Sequence, residues 1–177
     1  MNSIDEQQEE KNHQDLMGKE AGKKIKELAE KNSTCFFLTD ITSGDPTSVR
    51  PMSATKIDEE GNFYFLSAND SQKNADIEKD SKVQLLFQGS NSDFLSVYGE
   101  AIILTDRALI EELWEPIVKT WFTGGVNDPR ITVLKVTTIE AYYWDNKHGD
   151  AIALIKMAAG ALLGKTMDDS IEGSLTP

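Results

Sequence analysis

Residues 34–67 read TCFFLTDITSGDPTSVRPMSATKIDEEGNFYFLS, and the punctuation of this stretch decides the architecture. Thr34–Ile41 is a β-branched and aromatic run that stops at Ser43-Gly44-Asp45-Pro46. Thr47–Ile57 is a second run, stopped at Glu59-Glu60-Gly61-Asn62, and Phe63–Ser67 is a third. The connections are too short for crossover helices, so the strands form an antiparallel meander rather than βαβ units. In the second run Arg50 and Met52 alternate with Val49, Pro51 and Ser53. Proline donates no ladder hydrogen bond, which puts this run on a sheet edge or at a bulge, where side chains are often re-aimed toward sites.

Beyond the third run, Asp70 or Ser71 can cap a short helix predicted through about Lys79. Lys73 then stands in the first turn, where the partial positive charge of a helix start disfavours a cation by a few tenths of a kcal/mol unless an anion is near. Uncapped backbone N–H groups with Ser71, Lys73 and Arg50 would make a phosphate cradle. Taken singly, Arg50 reads sooner as a surface arginine beside an edge proline, Lys73 as an exposed lysine and Ser71 as an N-cap. Their combination is what points to a phosphorylated cofactor.

The same logic extends outward. Val83–Gln88 and Phe94–Leu104 resume the strand pattern, and Asp106 starts a helix through Leu109 and Leu113 that Pro116 bends or divides. Trp121–Pro129 is a glycine-rich loop, and Ile131–Val136 and Ala141–Trp144 are the last strands. Upstream, Leu16, Ile25, Leu28 and Ala29 recur at helical spacing and predict an amphipathic helix over Asp15–Lys31. Residues 1–14 carry almost no apolar side chains and read as a disordered arm. Asp150 caps a final helix over 151–164, leaving 165–177 as a flexible tail after a 15–150 domain. Six or seven antiparallel strands with peripheral helices make a mainly β fold, a small barrel that closes its own edges.

Composition removes several function classes. The net charge of −12 over 177 residues argues against nucleic acid and anionic membranes as partners. Cys35 is the lone cysteine, so no intrachain disulfide forms and a reduced, cytoplasmic setting is expected. The polar, acidic start lacks the apolar core of a signal peptide, and Ala151–Leu163 is too short to span a bilayer. No His/Cys/Asp/Glu spacing indicates a metal, and no serine or cysteine stands in a nucleophile context, so catalytic residues stay unassigned. Trp121 fits packing under its loop as well as a ligand contact, and Trp144 reads sooner as core or interface.

Taken in order, Val49-Arg50-Pro51-Met52, Phe63–Ser67, Ser71–Ile77, Val97-Tyr98-Gly99-Glu100-Ala101, Trp121–Pro129 and Ala141–Asp145 resemble the pyridoxamine-phosphate-oxidase-like FMN-binding split barrels, specifically the general stress protein 26 group. The resemblance covers about residues 15–150. It implies a six-stranded antiparallel split β-barrel that forms a homodimer, with FMN, or FAD in its place, at each subunit interface. It implies that Arg50, Pro51, Met52 and Ser53 line the flavin, that Leu66 and Ser67 meet it, and that Ser71 and Lys73 hold the phosphate. Trp121 and Trp144 would approach the ring from the other subunit. Two departures stand out. True pyridoxamine-phosphate oxidases carry an arginine–histidine–arginine cluster after the late tryptophan, where this chain reads Asp145-Asn146-Lys147-His148-Gly149-Asp150. The basic pair before the phosphate-binding helix is here Gln72-Lys73. Vitamin B6 oxidation is therefore not expected, and FMN retention is expected to be weaker. The expected function is a flavin-binding stress protein, either an FMN-dependent oxidoreductase acting on a small molecule or a non-catalytic flavin binder or sensor. A barrel that has lost its cofactor and acts by dimerisation is a third alternative.

Overall fold

The structure, a computed structural model, describes residues 11–44, 46–89, 93–147, 156, 158 and 169–177. Along the chain these form β1 (Leu16–Met17), α1 (Lys19–Lys31), β2 (Thr34–Thr39), β3 (Ser48–Ser53), β4 (Lys56–Ile57) and β5 (Phe63–Ala68). There follow α2 (Gln72–Lys79), β6 (Lys82–Gln88), β7 (Phe94–Leu104), α3 (Arg107–Leu113), β8 (Ile131–Asn146) and β9 (Ser170–Thr176). Pro116 ends α3 as its missing N–H requires and begins a separate 3-10 turn, Pro116–Thr120. Asp106 caps α3, its carboxylate accepting from the Leu109 N–H at 3.0 Å.

Antiparallel ladders join β3, β2, β6, β7 and β8 in that order. β5 pairs with the first half of β8 and β9 with its second half. The run Thr47–Ile57 is not one strand: β3 lies on β2, the chain steps across at Ala54-Thr55, and β4 lies on β5. Ala54 N–H donates to Ser33 O at 2.9 Å and Thr55 N–H to Tyr64 O at 2.8 Å, so the step is itself hydrogen-bonded. Counting β3 and β4 as one, six strands surround the core as an antiparallel split barrel, and no continuous ladder closes it. β3 ends the ladder order, the edge position that Pro51 demands.

Alternation sets the inner face. Cys35 and Phe37 of β2, Phe63 and Phe65 of β5, Val83, Leu85 and Phe87 of β6, and Leu95 and Val97 of β7 are all buried. Phe37 meets Phe65 edge-on at 5.1 Å, and Phe63 stacks on Phe87 at 5.2 Å. Each such ring contributes about 1.5–3 kcal/mol by leaving water. α1 adds Ala21, Ile25, Leu28 and Ala29 from one face. At Gly22 a Cβ would lie 2.8 Å from Glu59 O, so glycine lets the helix approach the turn between β4 and β5. A second cluster, including Ile110, Leu113, Phe122, Ile131 and Val133, covers the start of β8 from outside.

Three expectations are corrected. Ile131–Val136 and Ala141–Trp144 belong to one strand, because a bulge opposite Tyr98-Gly99 absorbs the break in alternation. The predicted helix over Asp15–Lys31 starts at Lys19, since Leu16 and Met17 pair in parallel with Leu175 and Thr176. The segment 165–177 is not a loose tail where it is described: β9 extends the sheet, and in the expected disordered arm Gln14 N–H donates to Glu172 O and Asn12 O accepts from Glu172 N–H, with His13 paired opposite Glu172. Residues 1–10 of that arm, and the predicted helix over 151–164 save for Lys156 and Ala158, lie outside the described residues.

Candidate functional site

The turn from β5 into α2 is held by a buried polar network. Ser67 Oγ donates to Asn74 Oδ1 at 2.6 Å, and Ser71 Oγ donates to the same oxygen at 3.0 Å. Asn74 Nδ2 donates to Thr132 Oγ1 at 3.0 Å, and Thr132 Oγ1 donates to Ser67 O at 3.1 Å. Ser71 has the extended backbone of a cap residue, yet its hydroxyl makes no capping bond to α2 because it is turned to Asn74. Asn74 and Ala75 N–H donate to Ser71 O, and the Gln72 and Lys73 N–H groups have no acceptor among the described residues.

Arg50 reaches this helix from β3. Its Nη1 donates to Thr39 Oγ1 at 2.8 Å and its Nη2 to Asp76 Oδ2 at 3.4 Å. Asp76 also accepts from Thr39 Oγ1 at 2.6 Å and from Gln72 Nε2 at 2.8 Å. Burial pushes the Asp76 carboxyl up, but the Thr39 and Gln72 hydrogen bonds and the Arg50 charge outweigh it, and the group stays ionised below the usual carboxylate range. Lys73 is half-buried and has no ion-pair partner among the described residues. Burial first and Arg50 second push its pKa below that of an ordinary lysine, against the opposing pull of Asp70. Two cations thus converge on an uncapped helix start, and only Arg50 is internally neutralised.

The predicted residues divide accordingly. Arg50, Ser71 and Lys73 come together. Ser67 lies among them, but the residue is 2% exposed and its hydroxyl is spent on Asn74. Leu66 points the other way, into the cluster under α3. Met52 packs on the main core, while Pro51 and Ser53 face outward, Ser53 Oγ lying 2.9 Å from Thr34 Oγ1. Trp121 is 67% exposed after its 3-10 turn, and Trp144, 41% exposed, lies beside Tyr142 with ring centroids 4.8 Å apart. Trp144 sits at the opposite end of β8 from Thr132, and no hydrogen bond or ring contact joins either tryptophan to Arg50 or Lys73 among the described residues. The sequence reading missed Thr39, Gln72, Asn74, Asp76 and Thr132. Gln72, Asn74 and Asp76 lie in α2, QKNADIEK, whose only large apolar residue is Ile77, and the structure buries Asn74 and Asp76 beside it.

The outer face of the sheet is apolar across several strands. Phe36 (57% exposed) is opposite both Pro51 and Leu86, and Phe94 is opposite Trp144. Among the described residues no cluster of metal-ligating side chains occurs, and burial pushes the Cys35 thiol up to about 12, which removes it as a nucleophile.

Comparison with known proteins places the chain in a family. The family model described as pyridoxamine 5'-phosphate oxidase like matches residues 20–168. Protein bli-3 of Neurospora crassa is 31% identical over 112 residues, 58% of this chain and 54% of that protein, so the match spans about half the relative's length. The general stress FMN/FAD binding protein of Xanthomonas citri is 26% identical with a TM-score of 0.61, over 71% of this chain and 89% of that one. The General Stress Protein 26 of Bacillus anthracis is 25% identical with a TM-score of 0.60, over 71% and 92%. The chain belongs to the pyridoxamine 5'-phosphate oxidase-like family, with general stress protein 26 structures among its neighbours.

Proposed function

We propose that this member of the pyridoxamine 5'-phosphate oxidase-like family is a cytoplasmic, homodimeric FMN-binding stress protein and an FMN-dependent oxidoreductase of small molecules. The observation that carries the reading is Lys73, a half-buried cation with no ion-pair partner among the described residues, at a helix start that Ser71 does not cap, beside Arg50. Leaving such a charge unpaired is unfavourable, and a phosphate monoester would offset it. The FMN/FAD label of the Xanthomonas citri relative points the same way. The donor set fits the group: Lys73, the first N–H groups of α2 and the unspent N–H groups of Arg50 would hold the phosphate. Ser71 would join them by turning its hydroxyl from Asn74. FMN when bound would supply the redox chemistry, and the chain would supply binding, orientation and exclusion of water.

The apolar outer face through Phe36, Pro51, Leu86, Phe94 and Trp144 supports a second copy of the chain as its cover. Such a copy would bring its own Trp121 and Trp144 to a flavin that one chain alone leaves open. Of the described residues after Trp144, Asp145 pairs with Lys24 at 2.7 Å and Lys147 donates to Asn12. That supports a substrate other than the phosphorylated B6 vitamers. No helix among the described residues is long and apolar enough to cross a membrane.

The test is titration of the purified, flavin-stripped protein with FMN, followed by quenching of flavin fluorescence and by sedimentation. Saturable quenching at one FMN per chain in a dimer is the expected result. A protein that is colourless as purified and cannot be reconstituted with excess FMN would refute the reading.

A further inference from the structure

We infer that Asp76 is the positioning residue of this site: it fixes the Arg50 guanidinium so that its remaining N–H groups face the anion held by Lys73. The inference rests on the flavin reading above and adds a residue to it. The observation is the division of the Arg50 donors. A guanidinium has five N–H bonds in a planar fork. The contacts to Thr39 and Asp76 take one N–H from each terminal nitrogen, and the others have no partner among the described residues. Asp76 is itself immobilised, because Thr39 and Gln72 occupy both of its oxygens and it is 9% exposed. Thr39 closes the triangle by accepting from Arg50 and donating to Asp76. A flexible arginine on an edge strand is thereby converted into a pre-oriented donor, and pre-orientation reduces the ordering cost of binding.

This assignment makes a prediction opposite in sign to simple electrostatics. Removing a carboxylate near an anion-binding site should tighten anion binding by Coulomb's law alone. If Asp76 acts by aiming Arg50, Asp76→Asn should instead weaken FMN, by about tenfold for one misdirected charge-assisted contact. In an Arg50→Ala background the substitution should bring no further weakening, leaving only the opposite Coulombic effect. Thr39→Val, which keeps the shape and removes the shared hydroxyl, should act in the same direction and be silent in the same background.

A second readout needs no flavin. In the ligand-free protein, nitrogen-edited NMR should find the Arg50 guanidinium in slow rotation, and in fast rotation in Asp76→Asn. This arm keeps the two readings separable: a wild-type protein that fails to bind FMN refutes the flavin reading, while the guanidinium signal still decides the role of Asp76. Tighter FMN binding by Asp76→Asn, equal effects with and without Arg50, or an unchanged guanidinium signal would each overturn the inference. Should Asp76→Asn fail to fold, Thr39→Val carries both measurements.

Discussion

Replacing Lys73 by alanine separates a ligand-binding cation from a surface one. The ammonium is half-buried, lies at an uncapped helix start, and is pushed toward the neutral form by burial and by Arg50. A hydrogen bond to a charged group contributes about 1.5–3 kcal/mol, so its loss should weaken FMN by roughly ten- to a hundredfold. Riboflavin keeps the ring and lacks the phosphate, so its affinity should change much less, and the FMN loss should shrink as salt rises. Without flavin the sign reverses. The folded-state pKa of Lys73 lies below its unfolded value, so its charged form costs stability in full below the folded pKa, and that cost fades as pH rises from the folded to the unfolded pKa. Lys73→Ala should therefore keep or raise the melting temperature of the flavin-free protein at pH 7. Equal losses for FMN and riboflavin, or a less stable apo variant, would show that Lys73 is a structural residue and that the cradle lies elsewhere.

Three further outcomes are expected. Phe36→Asp together with Leu86→Asp puts charge on the apolar outer face; sedimentation should find monomers with weakened flavin binding, and an undisturbed dimer would mean another face is used. A Cβ on Gly173 would overlap the carbonyl oxygen of Gln14, so Gly173→Ala should lower the urea midpoint by the equivalent of about 1–3 kcal/mol, and no shift would mean that the arm does not pack there in solution. Hydrogen bonds from Arg130 hold the Asp128 carboxyl down at about 2, below its unfolded value of 3.8. The stability it contributes is present above about pH 4 and lost as pH falls toward 2, and Asp128→Asn should flatten that part of an acid-unfolding curve.

What the chain states locally, it states well. Phe94–Leu104 is read and found with the same ends, because alternation and turn residues mark both of them. Asp106 and Pro116 likewise act through their own neighbours. β8 reads as two strands because the bulge opposite Tyr98 and Gly99 interrupts its period, and the strand that restores it is β7, distant in sequence. β9 has the opposite problem: SIEGSLT holds a glycine and few apolar residues, so nothing local declares a strand. Its reasons are the edge of β8 and the backbone of Gln14. At the site, Arg50, Ser71 and Lys73 were legible as charges and hydroxyls out of place. Thr39, Asn74 and Asp76 were not, because a buried polar residue is recognised by its partners: those of Thr39 come from α2 and β3, and those of Asn74 and Asp76 largely from β2, β3, β5 and β8.

The junction of β1, β9 and residues 12–14 also sets an order of events in time. The hydrogen bond from Ser174 N–H to Asp15 spans 159 positions of chain. Loop closure over such a span is entropically unfavourable, so the junction is expected to form after the nearer pairings of β2 with β3 and β6 with β7. Until then Tyr142 and Trp144 lie on a bare strand edge, open to pairing with another molecule. The same junction should be the first to open, as one unit, so amide hydrogens in β9 and those of Gln14 and Gly18 should exchange together and well before those of β6.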